Sequence, residues 1–75
     1  MPFVLWFKYT EKPEMVMHGF HLGTQIKVAK DIAQDKFYAA NNLSGNPSDW
    51  VSYVELRQGG KVVGRFAGET WEMVS

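Results

Sequence analysis

Residues 50–66, WVSYVELRQGGKVVGRF, constrain the fold more than any other part of the chain. Two runs rich in Val, Tyr, Leu and Phe flank the dipeptide Gly59-Gly60. Glycine accepts the positive φ angles that a two-residue hairpin turn requires, and a Gly-Gly pair between β-favouring runs is a strong hairpin signal. The segment therefore predicts two antiparallel strands joined at Gly59-Gly60.

A second hairpin is predicted at the N-terminus. Alternation in residues 3–10 puts an apolar or aromatic set on one side of a strand: Phe3, Leu5, Phe7 and Tyr9. The opposite side carries Trp6 and Lys8. Polar residues 11–14 include a proline and predict a turn, after which residues 15–22 predict a second strand that Gly19 weakens.

A helix is predicted to follow, with Thr24 as its N-cap. Its apolar residues recur at helical spacing: Ile26, Ala29, Ile32, Ala33, Phe37 and Ala40. Residues 41–47 contain Asn, Gly and Pro and end it. Residues 24–28 also alternate, so a second option stays open. In that option the strand does not end near Leu22 but continues to Val28, and Asp31 caps a shorter helix.

The order of these elements predicts the fold class. After a bend at residues 67–69, residues 70–74 are strand-like and either pair at a sheet edge or pack Trp71 on the core. Hairpin, helix and hairpin together predict an α+β protein with ββαββ order. We expect a small antiparallel sheet of four to five strands with one helix packed on one face, forming a single domain over residues 1–75.

Charge and hydropathy disfavour several classes of protein. Eight Lys plus Arg balance eight Asp plus Glu, whereas a chain that grips nucleic acid backbones usually has a basic excess. The longest apolar run, residues 3–7, is far too short to span a bilayer. The N-terminus lacks the basic lead of a signal peptide, and the chain has no cysteine. We therefore expect a soluble protein of the cytoplasm with no membrane partner.

The sequence offers no pattern for catalysis. His18 and His21 are the only histidines, and residues three apart on a strand point to opposite faces, so they do not jointly bind a metal ion. The serines lack a nucleophile motif, and the glycines of residues 56–64 do not open a helix as a phosphate-binding loop does. We expect no enzymatic activity, no catalytic residues, no metal and no cofactor.

The sheet face away from the helix is the best candidate for a function. On the second hairpin, Arg57 is expected to share this face with Val51, Tyr53 and Glu55. We predict that six residues contact a partner: Trp6, Lys8, Tyr53, Arg57, Lys61 and Arg65. Trp6 and Arg57 are the expected anchors, because Trp, Tyr and Arg dominate protein interfaces. Aromatic and basic side chains on a sheet also stack the bases of single-stranded nucleic acid.

Several segments resemble a loose group of small phage-encoded proteins. They are residues 23–26 (GTQI), a helix with Ala29, Ala33, Ala39 and Ala40, residues 54–56 (VEL) before a Gly turn, and the late Trp71. Together they cover about two thirds of the chain. The group consists of ββαββ domains, and some members are anti-CRISPR inhibitors of type I surveillance complexes. The resemblance implies direct binding to a host protein complex. It also favours continuation of the second strand around Ile26. The longer, more aromatic N-terminal hairpin departs from the group.

These observations lead to one functional hypothesis and two alternatives. The first is a small non-enzymatic protein-binding module, a phage or mobile-element inhibitor that occludes a host protein complex in the host cytoplasm. The second is a single-stranded nucleic-acid-binding domain that uses the same sheet face. The third is an assembly component that associates with itself, for example as a homodimer.

Overall fold

Two hairpins lie side by side and form one antiparallel sheet. The computed structural model describes residues 1–74, without the side chain of Phe20. The elements along the chain are β1 (Phe3–Tyr9), β2 (Val16–His21), α1 (Ile26–Asn42), a 3-10 turn (Pro47–Asp49), β3 (Val51–Gln58), β4 (Lys61–Phe66) and β5 (Trp71–Met73). The five strands are arranged in the order β2-β1-β3-β4-β5, so β3 is the central strand. The predicted α+β class, with one helix packed on one face of a small antiparallel sheet, is confirmed.

The turn between β3 and β4 is the predicted glycine hairpin. Gln58 pairs with Lys61, which leaves Gly59 and Gly60 as a two-residue loop. Their φ angles are 60° and 81°, a left-handed conformation that side chains with a Cβ adopt only at a cost. The dipeptide thus sets where the chain reverses.

The helix begins at Ile26, and its start differs from the sequence prediction. Its N-cap is Gln25, which makes no side-chain capping bond, so the prediction of Thr24 as N-cap is wrong. The option of a strand reaching Val28 is also wrong, since β2 ends at His21. Gly23 follows with a φ angle of 78° and redirects the chain. Packing on the sheet stabilises this helix more than its ends do.

The core lies between α1 and one face of the sheet. Alternation places Phe3, Leu5 and Phe7 of β1 in it, as predicted. The other buried apolar residues are Leu22, Ala29, Ala33, Phe37, Val51, Val54, Leu56 and Phe66. The small side chains of Ala29 and Ala33 let the helix backbone approach the strands. The ring of Phe37 then packs edge-on against Phe66, with centroids 5.3 Å apart.

A side-chain amide joins the end of the helix to the start of the central strand. The backbone N–H of Val51 donates to Oδ1 of Asn41 over 2.7 Å, and Nδ2 of Asn41 donates back to the Val51 carbonyl over 3.1 Å. The amide of Asn41 therefore acts as one more ladder residue for β3. The sequence pattern assigns Asn41 only to a helix-ending loop, whereas the helix continues to Asn42.

Two irregularities flank β3. Lys8 pairs with Tyr53 and Tyr9 with Val51, so Ser52 is an extra residue that bulges out of the ladder. The bulge turns Val51 into the core, and the prediction that Val51 shares a face with Arg57 is wrong. On the other side, Val63 is the extra residue between the pairs Arg57–Val62 and Leu56–Gly64.

The last strand combines both predicted alternatives. Trp71 pairs with Phe66 at the sheet edge, and its ring also packs on that phenylalanine with centroids 5.4 Å apart. Its indole N–H donates to Oε1 of Gln34 on the helix over 3.2 Å. The edge strand is thereby attached to both layers of the fold.

The other edge strand, β2, is irregular. Its register against β1 shifts between the pairs of Val4 and Trp6, and Gly19 within this stretch has a φ angle of 80°. His18 lies in the same stretch and packs on Phe7, with ring centroids 4.2 Å apart. Burial, together with the nearby charge of Lys36, lowers the pKa of His18 below 6.5.

The glycine turn gives a test of backbone strain. Replacing Gly60 by Ala should lower the free energy of unfolding by about 1 to 2 kcal/mol, because a Cβ disfavours its left-handed conformation. No atom lies within 4 Å of the added Cβ, so the effect isolates the backbone. Gly45→Ala is the matched control, since that site is equally open and has no positive φ angle. Equal stabilities of the two variants in urea unfolding would contradict this account.

His18 predicts a dependence of stability on pH. Its pKa is lower in the folded than in the unfolded chain, so the unfolded state binds more protons on acidification. Stability should therefore fall as pH drops through the unfolded value of 6.5 towards the folded one. The melting temperature should decrease between about pH 7.5 and 5.5 in the wild type and in His21→Gln, and less in His18→Gln. An unchanged decrease in His18→Gln would assign the effect to other groups.

Candidate functional site

One face of the sheet is not covered by the helix, and it is called the open face here. Alternation and strand register place on it Val4, Trp6 and Lys8 of β1, Tyr53, Glu55 and Arg57 of β3, Val62 and Arg65 of β4, and Glu72 of β5. Cross-strand neighbours on one face lie close enough to interact directly. The open face therefore brings together charged and aromatic side chains from four strands.

Glu55 is buried although no helix lies above it. Its exposed fraction is only 2%, and it is the buried charged residue of the described chain. Arg57 donates to Oε1 through Nε over 2.9 Å, and its Nη2 lies 2.8 Å from the same oxygen as an ion pair. Arg65 donates to Oε2 through Nη2 over 2.8 Å and through Nε over 3.3 Å. Each carboxylate oxygen is thus bonded by one guanidinium.

Each guanidinium also lies on an aromatic ring. The Arg57 guanidinium carbon is 4.0 Å from the ring centroid of Trp6, and that of Arg65 is 4.4 Å from the ring centroid of Tyr53. Such cation–π contacts favour Arg over Lys, because the planar group stacks on the ring while its edge forms hydrogen bonds. Trp6, Tyr53, Glu55, Arg57 and Arg65 form the arginine cluster.

The electrostatics of the cluster favour charged arginine side chains. The hydrogen bond to Glu55 raises the pKa of Arg65 above its ordinary value, so this side chain stays charged at any physiological pH. Two guanidiniums face one carboxylate, and the cluster carries one positive charge in excess. Arg57 and Arg65 keep 26% and 48% of their side chains exposed. The positive charge is therefore accessible from solvent.

A shallow apolar groove adjoins the cluster. It has a volume of about 200 Å³ and is lined by Val4, Trp6, Met17 and Arg57, with Gly59 and Gly60 of the turn at one end. Met17 of β2 is opposite Trp6 and is largely exposed. Trp6 and Arg57 belong both to the groove and to the cluster. A bound molecule can therefore contact apolar and cationic groups within one continuous site.

The structure brings together four of the six predicted contact residues: Trp6, Tyr53, Arg57 and Arg65. Lys8 shares the open face, but its ammonium donates to the carbonyls of Tyr9 and Lys12 in the first turn. Lys61 pairs with Gln58, so alternation assigns it to the side opposite Arg57, at the hairpin tip. Lys8 and Lys61 are outside the arginine cluster.

Glu55 is the residue that sequence reasoning underestimated. The pattern assigns it to the same face as Arg57, which is correct, but does not reveal that it is buried between two arginines. The available signal is the spacing of Tyr53, Glu55 and Arg57 at every second position. The partner Arg65 comes opposite Glu55 only because Val63 bulges out of the ladder.

Comparisons with known proteins do not add to this picture. No protein-family model, curated protein or solved structure matches the chain. Within the described residues, no three His, Cys, Asp or Glu side chains converge as a group able to hold a metal ion. No helix in residues 1–74 has the length and apolar character needed to cross a membrane.

The burial of Glu55 predicts a specific stability effect. Glu55→Gln keeps the shape but leaves two guanidiniums facing a neutral amide, which should lower the free energy of unfolding by about 1 to 3 kcal/mol. Glu72→Gln is the matched control, because Glu72 is exposed although it lies opposite Arg65, and it should change stability by less than about 0.5 kcal/mol. Urea unfolding compares the two. If Glu55→Gln is as stable as Glu72→Gln, the carboxylate does not organise the cluster.

Proposed function

We propose that this protein is a small non-enzymatic binding module that docks on a partner protein through the open face. The arginine cluster is the observation that carries the proposal. In the fuller form of the proposal, the module is a phage or mobile-element inhibitor, similar to anti-CRISPR proteins, and it occludes a host protein complex in the host cytoplasm.

Stability alone is a poor reason for such a cluster. Taking a carboxylate and guanidiniums out of water costs several kcal/mol per ion, and well-packed apolar residues often stabilise a fold equally well. An aliphatic side chain at position 55 would pack on the same sheet without any need for Arg57 and Arg65. What Glu55 adds is a fixed position for two arginines on an accessible face.

Fixed arginines and aromatics favour protein binding. Arg, Trp and Tyr are enriched among the residues that dominate interface energies. A free Arg side chain loses about 2 kcal/mol of rotamer entropy when it is immobilised. In this chain the stacking on Trp6 and Tyr53 and the bonds to Glu55 hold the arginines before any partner arrives. The cost of association is reduced accordingly.

The same geometry makes single-stranded nucleic acid the weaker alternative. Base stacking needs free aromatic planes, but guanidiniums already lie over one plane of Trp6 and of Tyr53. Binding along a phosphate backbone needs several free cations, whereas the cluster has a single positive charge in excess and the charge of the whole chain is balanced. Binding to a protein surface requires neither free aromatic planes nor several free cations.

The inhibitory part of the proposal has a separate basis. It follows from the resemblance of residues 23–26, the alanine-containing helix and residues 54–56 to phage-encoded ββαββ inhibitors. Occlusion suits a chain of this size, because a rigid sheet face blocks a partner's site without making or breaking a bond.

Affinity capture tests the proposal. Immobilised wild-type protein should retain a specific protein from a bacterial lysate, and Trp6→Ala should retain at least about tenfold less, as expected for an interface anchor. Leu43→Ala is the control, since Leu43 is an apolar residue that is 84% exposed at the far end of the helix. Both variants should keep the wild-type circular dichroism spectrum.

Two outcomes would contradict the proposal. Equal capture by wild type and Trp6→Ala would mean that the open face is not the binding surface. Binding of a labelled single-stranded oligonucleotide, with the steep salt dependence of phosphate contacts and loss in Trp6→Ala, would favour the nucleic-acid alternative.

A further inference from the structure

We infer that the open face binds an acidic segment of its partner, with a carboxylate on the arginine cluster and an apolar side chain in the groove beside it. This inference rests on the proposed function and specifies the chemistry of the partner. It follows from three features of the cluster: the unused edges of its guanidiniums, its excess charge and its position next to the groove.

The first feature is the way in which the arginines hold Glu55. Arg57 and Arg65 both use Nε and Nη2, which lie along one edge of the planar group. Arginine has further N–H donors in the same plane, and the edge formed by Nη1 and the outer side of Nη2 suits a second carboxylate. Among the described side chains, this second edge donates a hydrogen bond only to the sulfur of Met15, a weak acceptor that lies 3.5 Å from Nη2 of Arg57.

The second feature is the charge of the site. The single carboxylate of Glu55 leaves one positive charge of the cluster uncompensated. Glu72 is the other acidic residue of the open face, and it lies opposite Arg65, whereas the cross-strand partners of Arg57 are Val4 and Val62. The positive charge that an acidic ligand can compensate therefore lies at Arg57, beside the groove. Electrostatic complementarity of this kind determines which partner a surface accepts.

The third feature is the continuity of cluster and groove. Arg57 lies on Trp6 and forms one wall of the groove, whose other walls are Val4 and Met17. The groove is large enough for one aliphatic side chain, at about 200 Å³. An acidic residue bound end-on by Arg57 therefore has a neighbouring apolar residue in reach of Trp6. Methionine at such a wall adapts to different apolar shapes.

The test is a titration of the isotope-labelled full chain by nuclear magnetic resonance at low salt. The probes are two synthetic peptides, acetyl-DELDE-amide and its neutral counterpart acetyl-NQLNQ-amide. The acidic peptide should shift the indole N–H signal of Trp6 and the Nε–H signals of Arg57 and Arg65. Trp50 and Trp71 are internal controls, because they lie outside the open face, and their signals should stay in place. The neutral peptide should bind at least about tenfold more weakly.

A conservative variant separates the effect of the planar guanidinium, with its two donor edges, from the effect of positive charge. Arg57→Lys keeps the positive charge beside Glu55 but removes the second edge next to the groove, so its affinity for the acidic peptide should fall about tenfold. Lys27→Gln, on the exposed side of the helix, is the control for a general loss of positive charge and should bind like the wild type. If Arg57→Lys does not fold, the comparison of the two peptides on the wild type decides the question.

The failures of this inference and of the proposed function are distinguishable. Equal binding of both peptides, shifts elsewhere on the chain, or no binding would overturn the acidic partner. Trp6-dependent capture of a protein would still support the module. If the same signals shift when the protein alone is concentrated, the open face binds a second copy of the chain and the inference is overturned. If an oligothymidine shifts them, the face binds nucleic acid and the inference is likewise overturned. Loss of Trp6-dependent capture as well would overturn both.

Discussion

A carboxylate that is shielded from water needs compensation, and in this protein the compensation organises one whole face. Glu55 lies on the central strand, where neighbouring strands exclude water on both sides. An isolated buried charge of this kind would cost several kcal/mol. Arg57 and Arg65 supply the opposite charge, and each needs a platform that keeps it in place. Trp6 and Tyr53 are those platforms, so four side chains surround and compensate one carboxylate.

Different interactions thus stabilise the two faces of the sheet. On the helix side, apolar burial and close approach of Ala29 and Ala33 to the strands determine the packing. On the open face, charge-assisted hydrogen bonds and stacking perform the same task with groups that remain partly accessible. A small domain without cysteine gains stability from the first face. The second face presents polar and aromatic groups that stay partly accessible to solvent.

The sequence predicts the elements well because their signals are local. The glycine pair identifies the hairpin turn, and alternation of Phe3, Leu5 and Phe7 against Trp6 assigns both faces of β1 correctly. The start of the helix is harder to predict, because Thr24 has the right chemistry for a cap while the chain uses Gln25 without any capping bond. Packing of the later alanines outweighs that local preference.

The candidate site depends on features that a period-two pattern does not contain. Counting back from a regular two-residue turn would pair Glu55 with Gly64 and place Arg65 on the helix side. The extra residue Val63 reverses this, so that Arg65 meets Glu55 and Phe66 enters the core. In the pairing of β3 with β1, the extra residue Ser52 likewise moves Val51 to the core side of the sheet. Bulges arise from tertiary packing, and their positions are therefore not readable from alternation alone.

The irregular outer strands have a consequence for aggregation. A long, flat sheet edge offers unpaired backbone groups to any other chain, which is the route to fibrils and to swapped strands. Here the edge strand β5 is only three residues long. The other edge strand, β2, is interrupted at Gly19, whose left-handed backbone prevents a continuous hydrogen-bond ladder. Neither edge strand is a good template for an added strand. An encounter between this molecule and another polypeptide is thereby directed away from backbone pairing and towards side-chain recognition.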